Sequence, residues 1–508
     1  LASTANRAYE FYVRGLDRLD GRWAGAGVSG LEFLDERHPY AADLDLFGSG
    51  SLFERLCTAR TKSGEETLSR WLLAPAEPET ILGRHAAIRE LTPRLDLRED
   101  LELLGRDVRA GIDPRELIAW SRQPQVFPNG LGLRLFLALL GAVSLVFGVS
   151  SFIAAFYYGQ PIAYFLLAML GTSVCILTLR RRAATVLRAI DQRTHDLLLL
   201  SGLLARIERE PFQAPTLIRL KNLLIRDGAP ASIQIRKLAR LLQLLDARRN
   251  QLFLPFAALS LWTEQIALAV DAWRSRSGQA IADWLDAVGQ FEAICALSSF
   301  AAENPLYHVP EIVPEPTLLH AEALGHPLIP TGLCVRNDIR LGSGAPQALV
   351  VTGSNMSGKS TMLRTVGVNV VLALAGAPVC ATSFRLSPLS IGATLRIQDS
   401  LQKGKSRFFA EITRVRQIVE ISRGPIPLLF LLDEIFHGTN SADRRIGAGA
   451  IVRGLLDQGA IGLVTTHDLA LGEIADGPDE RIANVHFEDR FEDGEIHFDY
   501  KMKSGIVH

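Results

Sequence analysis

The sequence predicts a two-part fold, with a helical amino-terminal region that carries an inserted apolar hairpin and a carboxy-terminal α/β domain. Three observations predict this arrangement. A glycine-rich loop at residues 352–361 lies between an apolar strand pattern and a helical pattern. Two uncharged apolar runs, residues 135–156 and 162–179, follow each other closely. The proline-rich segment 305–316 separates long helical patterns from alternating strands and helices, so we place the domain boundary there.

The loop TGSNMSGKST contains a complete P-loop pattern, from Gly353 through Gly358 to Lys359 and Ser360. A glycine-rich turn entering a helix offers several backbone N–H groups to one phosphate chain. Lys359 is expected to reach the β- and γ-phosphates of ATP, and the Ser360 hydroxyl to ligate Mg²⁺. The other loop residues predicted to bind the nucleotide are Ser354, Asn355, Met356, Ser357 and Thr361. A chance glycine loop is the alternative, and the flanking strand and helix argue against it.

Two further apolar strand patterns end in polar residues. Residues 428–432 lead into Asp433 and Glu434, and residues 461–464 lead into a segment that ends at His467. Asp433 is suited to hold the Mg²⁺ water shell, and Glu434 to orient the attacking water. His467 could sense or position the γ-phosphate. An Asp-Glu pair alone often only ends a strand, and a lone histidine often only packs, but their order after a P-loop predicts nucleotide hydrolysis.

These motifs resemble those of the MutS mismatch-repair ATPases. TGSNMSGKST is similar to the family's nucleotide loop, and DEIFHGTNSAD at residues 433–443 is similar to its second motif. Residues 406–411 resemble the signature segment, which implies that Ser406 contacts the γ-phosphate of a partner subunit across a homodimer. Gly325, His326 and Pro327 resemble the lead-in to the ATPase domain, which implies that His326 lies near the adenine. The resemblance thus implies ATP and Mg²⁺ as cofactors.

The resemblance extends upstream and also has limits. Residues 50–53, 61–64 and 71–75 look like the start of the MutS helical core. Nothing before Asp45 is long enough for the family's mismatch-reading domain with its connector. Phe436 and His437 stand where MutS often has Gly-Arg, and the usual carboxy-terminal dimerisation helices are not expected before His508. These departures concern mismatch recognition and leave the nucleotide motifs intact.

The two apolar runs predict a transmembrane helical hairpin. The first has about 22 residues without a charge, which is enough to cross a hydrocarbon core of about 30 Å. Arg134 precedes the first run and Arg180 to Arg182 close the second, so both ends are expected in the cytoplasm. This topology predicts a multi-pass protein of the inner (cytoplasmic) membrane with its ATPase domain in the cytoplasm. A buried helical hairpin in a large soluble core is the alternative.

Composition is compatible with this interpretation. Hydrophobic residues make up 48% of the 508 residues, the mean hydropathy is +0.16 and the formal net charge is −1. The net charge therefore gives no overall positive potential that would indicate a nucleic-acid partner. Five cysteines without metal-ligand spacing indicate buried or free thiols in a reducing compartment. Residues 212–250 hold eight basic and two acidic residues, which could meet DNA phosphates or anionic lipid, or form an ordinary solvated helix face.

The predicted order of parts follows from these patterns. It comprises a lead-in at residues 1–43, helical core at 44–130, the hairpin at 131–182, further core and lever at 183–304, and a P-loop (ABC-type) ATPase domain at 317–508. A β-hairpin is predicted around Asp493 and Gly494.

Three functions are compatible with the sequence. The first is a membrane-anchored MutS-like ATPase that dimerises around two nucleotides and passes closure to a client, which could be duplex DNA. The second keeps the motor but acts on a protein or lipid client. The third, an ABC transporter subunit, is disfavoured because two spanning helices are too few and no Leu-Ser-Gly-Gly-Gln segment precedes Asp433.

Overall fold

The computed structural model describes residues 2–105, 113–127, 130–159, 163–191, 193–226, 228–354, 356–396, 407–436, 441–467, 479–492 and 495–505. The helices are α1 Ala2–Leu19, α2 Leu52–Leu56, α3 Lys62–Leu73, α4 Pro78–Leu91, α5 Leu95–Gly105, α6 Pro114–Ser121, α7 Gly130–Tyr158, α8 Ala163–Leu187, α9 Thr194–Arg209, α10 Pro215–Leu223, α11 Ala231–Asp246, α12 Leu254–Leu259, α13 Trp262–Ser277, α14 Ile281–Glu303, α15 Lys359–Ala375, α16 Arg407–Ser422 and α17 Ser441–Asp457. The strands are β1 Ile225–Arg226, β2 Ala229–Pro230, β3 Glu311–Ile312, β4 Leu318–Leu324, β5 Asn337–Gly342, β6 Ala348–Thr352, β7 Ser383–Leu386, β8 Ser390–Thr394, β9 Leu428–Asp433, β10 Ile461–Thr466, β11 Ile482–Glu492 and β12 Glu495–Ser504. Apart from the short pair β1 and β2, the described residues are therefore helical up to Glu303 and mixed α/β after it, as the sequence predicts.

The helical region is organised around α14, whose apolar side chains are buried along most of its length. Helix α3 lies directly against it, because a Cβ at Gly289 would come within 2.6 Å of the Ser63 carbonyl oxygen. The Thr61 side chain caps α3 by accepting from Gly64 N–H at 3.1 Å. Buried Glu292 of α14 accepts hydrogen bonds from the Thr61 backbone and hydroxyl, so the start of α3 is tied to α14 at the same point.

Helices α7 and α8 form a hairpin, but the transmembrane hairpin predicted from the sequence is not supported. Of the helices within the described ranges, one segment, Gly132–Tyr158 in α7, is long and apolar enough to cross a membrane. Helix α8, which runs from Ala163 to Leu187 and includes Arg180, Arg181 and Arg182, is not found as a second span among the described residues. The base of the hairpin is part of the protein core.

Packing at that base explains the difference from the prediction. Leu137 is fully buried, and a Cβ at Gly141 would meet the Ser260 carbonyl oxygen at 2.8 Å, so α7 lies directly on the end of α12. Val186 and Leu187 of α8 are buried, and Val186 accepts a hydrogen bond from the Trp120 indole at 2.8 Å. Farther out, both helices expose apolar side chains such as Leu139 and Leu170.

The α/β domain contains a six-stranded sheet in the order β12-β11-β6-β10-β9-β8. All neighbouring pairs are parallel except β11 and β12, which form the predicted terminal hairpin. Its central strands are buried on both faces, which matches their continuous apolar sequences. A second, four-stranded sheet has the order β3-β7-β4-β5. Leu324 of β4 and Asn337 of β5 line the cleft described below.

Residues 36–46, here called the connecting segment, join the helical region to the α/β domain. Buried Asp43 accepts hydrogen bonds from the backbone N–H groups of Leu395 and Arg396 at 2.7 and 2.8 Å. Its carbonyl oxygen accepts from the Arg364 side chain of α15 at 3.2 Å. On the other flank, Arg414 of α16 donates to the His38 carbonyl oxygen at 2.7 Å. The segment that the sequence marks only as a lead-in therefore contacts both α15 and α16.

Candidate nucleotide-binding site

The predicted site residues converge because their strands are parallel neighbours. In the sheet register, Thr465 of β10 pairs with Asp433 of β9, and Thr466 of β10 pairs with Thr352 of β6. The carboxyl ends of the three strands therefore meet at one edge. Ligands of open parallel sheets bind outside this edge.

The P-loop joins β6 to α15 in a conformation that explains its residue types. Gly353 and Gly358 have φ angles of 146° and 103°, which an L side chain rarely adopts. Helix α15 then begins at Lys359, so its first N–H groups face the loop. Ser357 is buried, and its hydroxyl oxygen has no hydrogen-bond partner among the described residues. This arrangement offers donors to an anion, as expected of a phosphate cradle.

Lys359 is the cation of this cradle. Its side chain is 5% exposed, and its ammonium group donates to the carbonyl oxygens of Gly353 at 2.8 Å and Ser354 at 2.7 Å. Glu434 Oε1 lies 3.9 Å from the same nitrogen. Burial lowers the pKa of Lys359 from its ordinary value, and the carboxylates of Glu434 and Asp433 oppose that shift. A nearby phosphate would likewise favour the charged form.

The acidic residues are held in position by the next strand. The Thr465 hydroxyl donates to Asp433 Oδ1 and accepts from the Glu434 backbone N–H at 3.1 Å. Glu434 has a φ of 47°, so its side chain leaves the strand direction at the start of a turn. His467 Nδ1 lies 3.1 Å from Glu434 Oε1. The structure thus brings Lys359, Glu434 and His467 together as one connected group.

A cleft of about 510 Å³ extends from these residues to the second sheet. Its P-loop side includes Gly358, Lys359, Ser360 and Thr361, and its far side includes the apolar residues Leu324, Ile329, Leu333 and Val335. Met356 of the loop also lines the cleft and is highly exposed. A space with polar donors at one end and apolar walls at the other matches a nucleotide, which has a phosphate end and a base end.

Tyr500 is a cleft residue that sequence analysis missed. It lies on β12, lines the cleft, and a Cβ at Gly358 would come within 3.1 Å of its ring. Its backbone oxygen accepts from Asn337 Nδ2 at 3.0 Å, which links β12 to β5. The residue is far from every recognised motif, and no local pattern distinguishes it from its hairpin neighbours.

Three of the predicted site residues are not described as lining the cleft. His326 does not line the cleft: its Nδ1 accepts from the Leu328 backbone N–H at 3.3 Å, so the ring turns back onto its own loop. Burial and nearby Arg364 lower the pKa of His326 to about 4, so it is neutral near pH 7. Asn355 and Ser406 lie outside the described residues. Directly after Ser406, α16 is anchored through Glu411, which accepts from the Phe436 backbone N–H.

The described residues meet the ligand requirements of a metal ion only in part. Within the described residues, no cluster of three His, Cys, Asp or Glu side chains could hold an ion. Mg²⁺ is commonly bound through one or two carboxylates together with substrate phosphates and water. Asp433, at the edge of the cleft beside the P-loop, and the hydroxyl of Ser360 fit this type of shared site. The residues present therefore fit Mg²⁺ that arrives with a nucleotide.

Comparison with known proteins agrees with this geometry. Residues 349–508 match the family model of MutS domain V. The DNA mismatch repair protein MSH3 of Phaeosphaeria nodorum is 30% identical over 237 residues, which cover 45% of this chain and 21% of that protein. For msh3 of Aspergillus fumigatus, identity is 30% over 267 residues, covering 49% and 23%. A probable DNA mismatch repair protein Msh6 of Drosophila melanogaster is 31% identical over 187 residues, covering 36% and 16%. The chain thus spans less than a quarter of each relative's length.

These relatives also correct one prediction. Localisation as a multi-pass protein of the inner membrane is wrong, because the similar proteins are named DNA mismatch repair proteins. The structure agrees, since the described residues contain one segment of sufficient length and apolar character rather than two.

Proposed function

We propose that this chain, which belongs to the MutS family by the match of residues 349–508 to MutS domain V, binds ATP with Mg²⁺ and hydrolyses it. The observation that carries the proposal is the meeting of the P-loop lysine with two strand-end acids. Lys359, Glu434 and His467 form one connected group, and Asp433 is held beside it by Thr465. Such a constellation serves phosphoryl transfer, which depends mainly on positioning and charge.

Each residue has a distinct role in this proposal. Lys359 would exchange its two carbonyl acceptors for β- and γ-phosphate oxygens when ATP enters. Glu434 would accept a hydrogen bond from the attacking water and orient it, and His467 would hold the Glu434 carboxylate through Nδ1. Asp433 and Ser360 would hold Mg²⁺, which supplies charge neutralisation at the phosphates.

The base would lie at the apolar end of the cleft. Leu333 and Val335 offer aliphatic contacts, and Tyr500 offers an aromatic face next to Gly358. An offset ring pair of this kind contributes about 0.5–1.5 kcal/mol beyond the area it buries. The loop residues Ser354, Met356, Ser357 and Thr361 would contact the phosphates, as the family pattern implies.

We propose further that the active form is a homodimer. In the family pattern, Ser406 acts on the nucleotide of the partner subunit. Helix α16, which follows Ser406, is tied to the Glu434 turn by Glu411 and to the connecting segment by Arg414. A movement of α16 caused by a contact at Ser406 would therefore also move the turn at residues 434–436 of the same subunit and the connecting segment of its helical region.

Duplex DNA is the proposed client, as the names of the relatives suggest. Helix α11 supports this through Arg236, Lys237 and Arg240, which are exposed and recur at helical spacing on one side. Basic side chains arranged along a helix can neutralise successive phosphates without reading bases. Nearby Arg248 is instead paired with Asp191 at 3.3 Å, so it contributes less to this face.

ATP turnover by wild type and by two variants tests the catalytic proposal. Lys359→Ala should lose ATP binding, while Glu434→Gln should bind ATP, stall hydrolysis and accumulate a closed dimer. Lys62→Ala and Glu420→Gln are matched controls on exposed helix positions and should behave as wild type. Unchanged nucleotide affinity in Lys359→Ala would refute the P-loop assignment. Wild-type turnover in Glu434→Gln would mean that another group orients the water.

The DNA proposal is tested by the salt dependence of duplex binding. Neutralising Arg236, Lys237 and Arg240 together should reduce the slope of log K against log salt by about 2.7, or 0.9 for each lost phosphate contact. The matched control replaces Arg385, an exposed residue on β7 paired with Glu311, and should leave the slope unchanged. Equal slopes for the triple variant and wild type would remove α11 from the DNA interface.

A further inference from the structure

We propose that Cys334 and Cys380 form an oxidisable thiol pair that closes to a disulfide with a hydroperoxide and thereby weakens nucleotide binding. The proposal rests on the proposed nucleotide site for its consequence, but not for its chemistry. It assigns a modification site to two residues outside the P-loop and the acidic strand ends.

The two sulfur atoms both lie close to the position that a side chain at Gly325 would occupy. A Cβ at this glycine would come within 2.8 Å of Cys334 Sγ and 3.0 Å of Cys380 Sγ, so the sulfurs are at most about 5.8 Å apart. The two thiols also share a hydrogen bond. The missing side chain of Gly325 is therefore what allows them to approach. Both cysteines are reduced in the structure.

Cys380 is fixed to the nucleotide-binding helix. Its backbone N–H donates to Asn369 Oδ1 at 2.8 Å, and Asn369 is fully buried on α15. The Asn369 amide donates in turn to the Gly325 carbonyl oxygen at 2.9 Å. Cys380 is itself only 2% exposed, so this half of the pair is rigid and shielded from bulk solvent.

Cys334 lies on the loop that forms the base side of the cleft. Its neighbours Leu333 and Val335 both line the cleft, and Leu324 precedes Gly325 on the same side. Cys334 is only half-buried, so a small oxidant can reach it. The His326 backbone N–H donates to its sulfur at 3.3 Å, and the sulfur lies 3.9 Å from the His326 carbonyl oxygen.

The surroundings of the two thiols shift their pKa values in opposite directions. The hydrogen bond from Cys380, the His326 N–H and the charge of Arg336 lower the pKa of Cys334 below its ordinary value. The hydrogen bond with Cys334 and burial raise the pKa of Cys380. Cys334 is therefore the more readily ionised thiol and the attacking group, while Cys380 keeps its proton more strongly.

The oxidation is balanced with hydrogen peroxide as the two-electron oxidant. The Cys334 thiolate attacks one peroxide oxygen, the O–O bond breaks, and hydroxide leaves as Cys334 becomes a sulfenic acid. The Cys380 sulfur then attacks the sulfenic sulfur, and the S–O bond breaks. The departing hydroxide takes up the Cys380 proton and leaves as water. The hydroxide of the first step takes up the proton that Cys334 lost on ionising, so that two thiols and one peroxide give one disulfide and two waters.

Closing the bond would move the cleft wall. A disulfide brings the sulfurs to about 2.05 Å. Because Cys380 is held by Asn369, the loop at Cys334 must make most of the movement. Leu333 and Val335 would be drawn towards α15 and away from the base. We expect nucleotide affinity to fall about tenfold, comparable to one apolar side chain leaving the base.

The test combines disulfide mapping with nucleotide binding on the full chain. Reduced protein is treated with stoichiometric hydrogen peroxide, digested and mapped by mass spectrometry, while affinity for a fluorescent ADP analogue is measured before and after. Wild type should acquire the Cys334–Cys380 disulfide and bind about tenfold more weakly, and dithiothreitol should reverse both. Cys334→Ser and Cys380→Ser should show neither change. Cys175→Ser, a control cysteine on α8, should respond as wild type.

The outcomes separate this proposal from the proposed function. If reduced wild type binds nucleotide but no Cys334–Cys380 disulfide forms, the thiol pair is refuted. If the disulfide forms and affinity is unchanged, its effect on the cleft is refuted. If the disulfide forms while reduced wild type binds no nucleotide, the proposed function fails and the oxidisable pair stands. Circular dichroism of each variant establishes that these comparisons are made on folded protein.

Discussion

Two neighbouring aspartates of the connecting segment provide a quantitative test of how the helical region is joined to the α/β domain. Asp43 is 1% exposed and accepts from the backbone N–H groups of Leu395 and Arg396 through one oxygen. Asp45 is 32% exposed at its side chain and pairs with Arg396 at 2.6 Å. The two carboxylates have the same chemistry and share one partner residue, but they differ in burial.

The variants Asp43→Ala and Asp45→Asn should therefore differ strongly. Hydrogen bonds to charged groups contribute about 1.5–3 kcal/mol each, so two of them at Asp43 give about 3–6 kcal/mol. Burial raises the pKa of Asp43, which shows that the carboxylate is costly to desolvate and reduces the net loss to about 3 kcal/mol. An exposed ion pair such as that of Asp45 contributes at most about 1 kcal/mol. Asparagine at position 45 tolerates the φ of 53°.

Hydrogen–deuterium exchange measures this difference locally. Amide exchange at Leu395 and Arg396 should be about 100-fold faster in Asp43→Ala, since 1.4 kcal/mol corresponds to a factor of ten. In Asp45→Asn, it should be less than about fivefold faster. The protection of α14 should not change in either variant, since neither aspartate makes a hydrogen bond to it among the described residues. Similar exchange rates in the two variants would refute the view that burial of Asp43 is what joins the two parts.

Three further predictions concern other contacts of the site and its supports. Arg84→Met should lower the free energy of unfolding by about 2 kcal/mol. Arg84 donates to the Ala375 carbonyl oxygen at 2.9 Å, and its guanidinium lies 3.5 Å from the centre of the Trp71 ring. An unchanged thermal melt would contradict this prediction. The pKa of His326 is about 4 in the folded state and about 6.5 in the unfolded state, so the unfolded state binds more protons between these values. The free energy of unfolding should therefore fall by up to about 3 kcal/mol as the pH drops from 6.5 to 4. His326→Asn should flatten this loss in pH-dependent melting, and identical acid profiles would exclude His326 as its source. Gly367→Ala should lower the free energy of unfolding by about 1–3 kcal/mol, since its Cβ would meet Leu44 at 2.5 Å. Gly454→Ala, whose Cβ has no described atom within 4 Å, should stabilise α17 slightly. If urea unfolding showed a change of the same sign in the unfolding free energy of both variants, this account of the packing would be contradicted.

The α/β domain was largely predictable because its signals are local. The P-loop glycines are required by the φ angles at Gly353 and Gly358, which depend on a few adjacent residues. Buried parallel strands must be continuously apolar, so residues 348–351, 428–432 and 461–464 were recognisable as strands. The order of Asp433 and His467 after such strands then placed them at one edge of a sheet.

The helical region shows where a local pattern is insufficient. An uncharged run of residues indicates only that a helix avoids water, and both a lipid surface and a protein core satisfy that condition. Contacts of α7 with Ser260 and of α8 with Trp120 decide that the base of the hairpin belongs to the core. Neither contact is visible in the sequence, because the partners are more than 60 residues apart.

By itself, the sequence determined the phosphate end of the site, since P-loop geometry is encoded within about ten consecutive residues. Only the tertiary structure decided the rest of the cleft and its connections. Tyr500 reaches Gly358 through the pairing of β11 with β6, and Asp43 reaches Arg396 across the whole helical region. The physical reason is that a polar or aromatic side chain has no intrinsic partner: its partner is set by which distant strands and helices bury their apolar faces together.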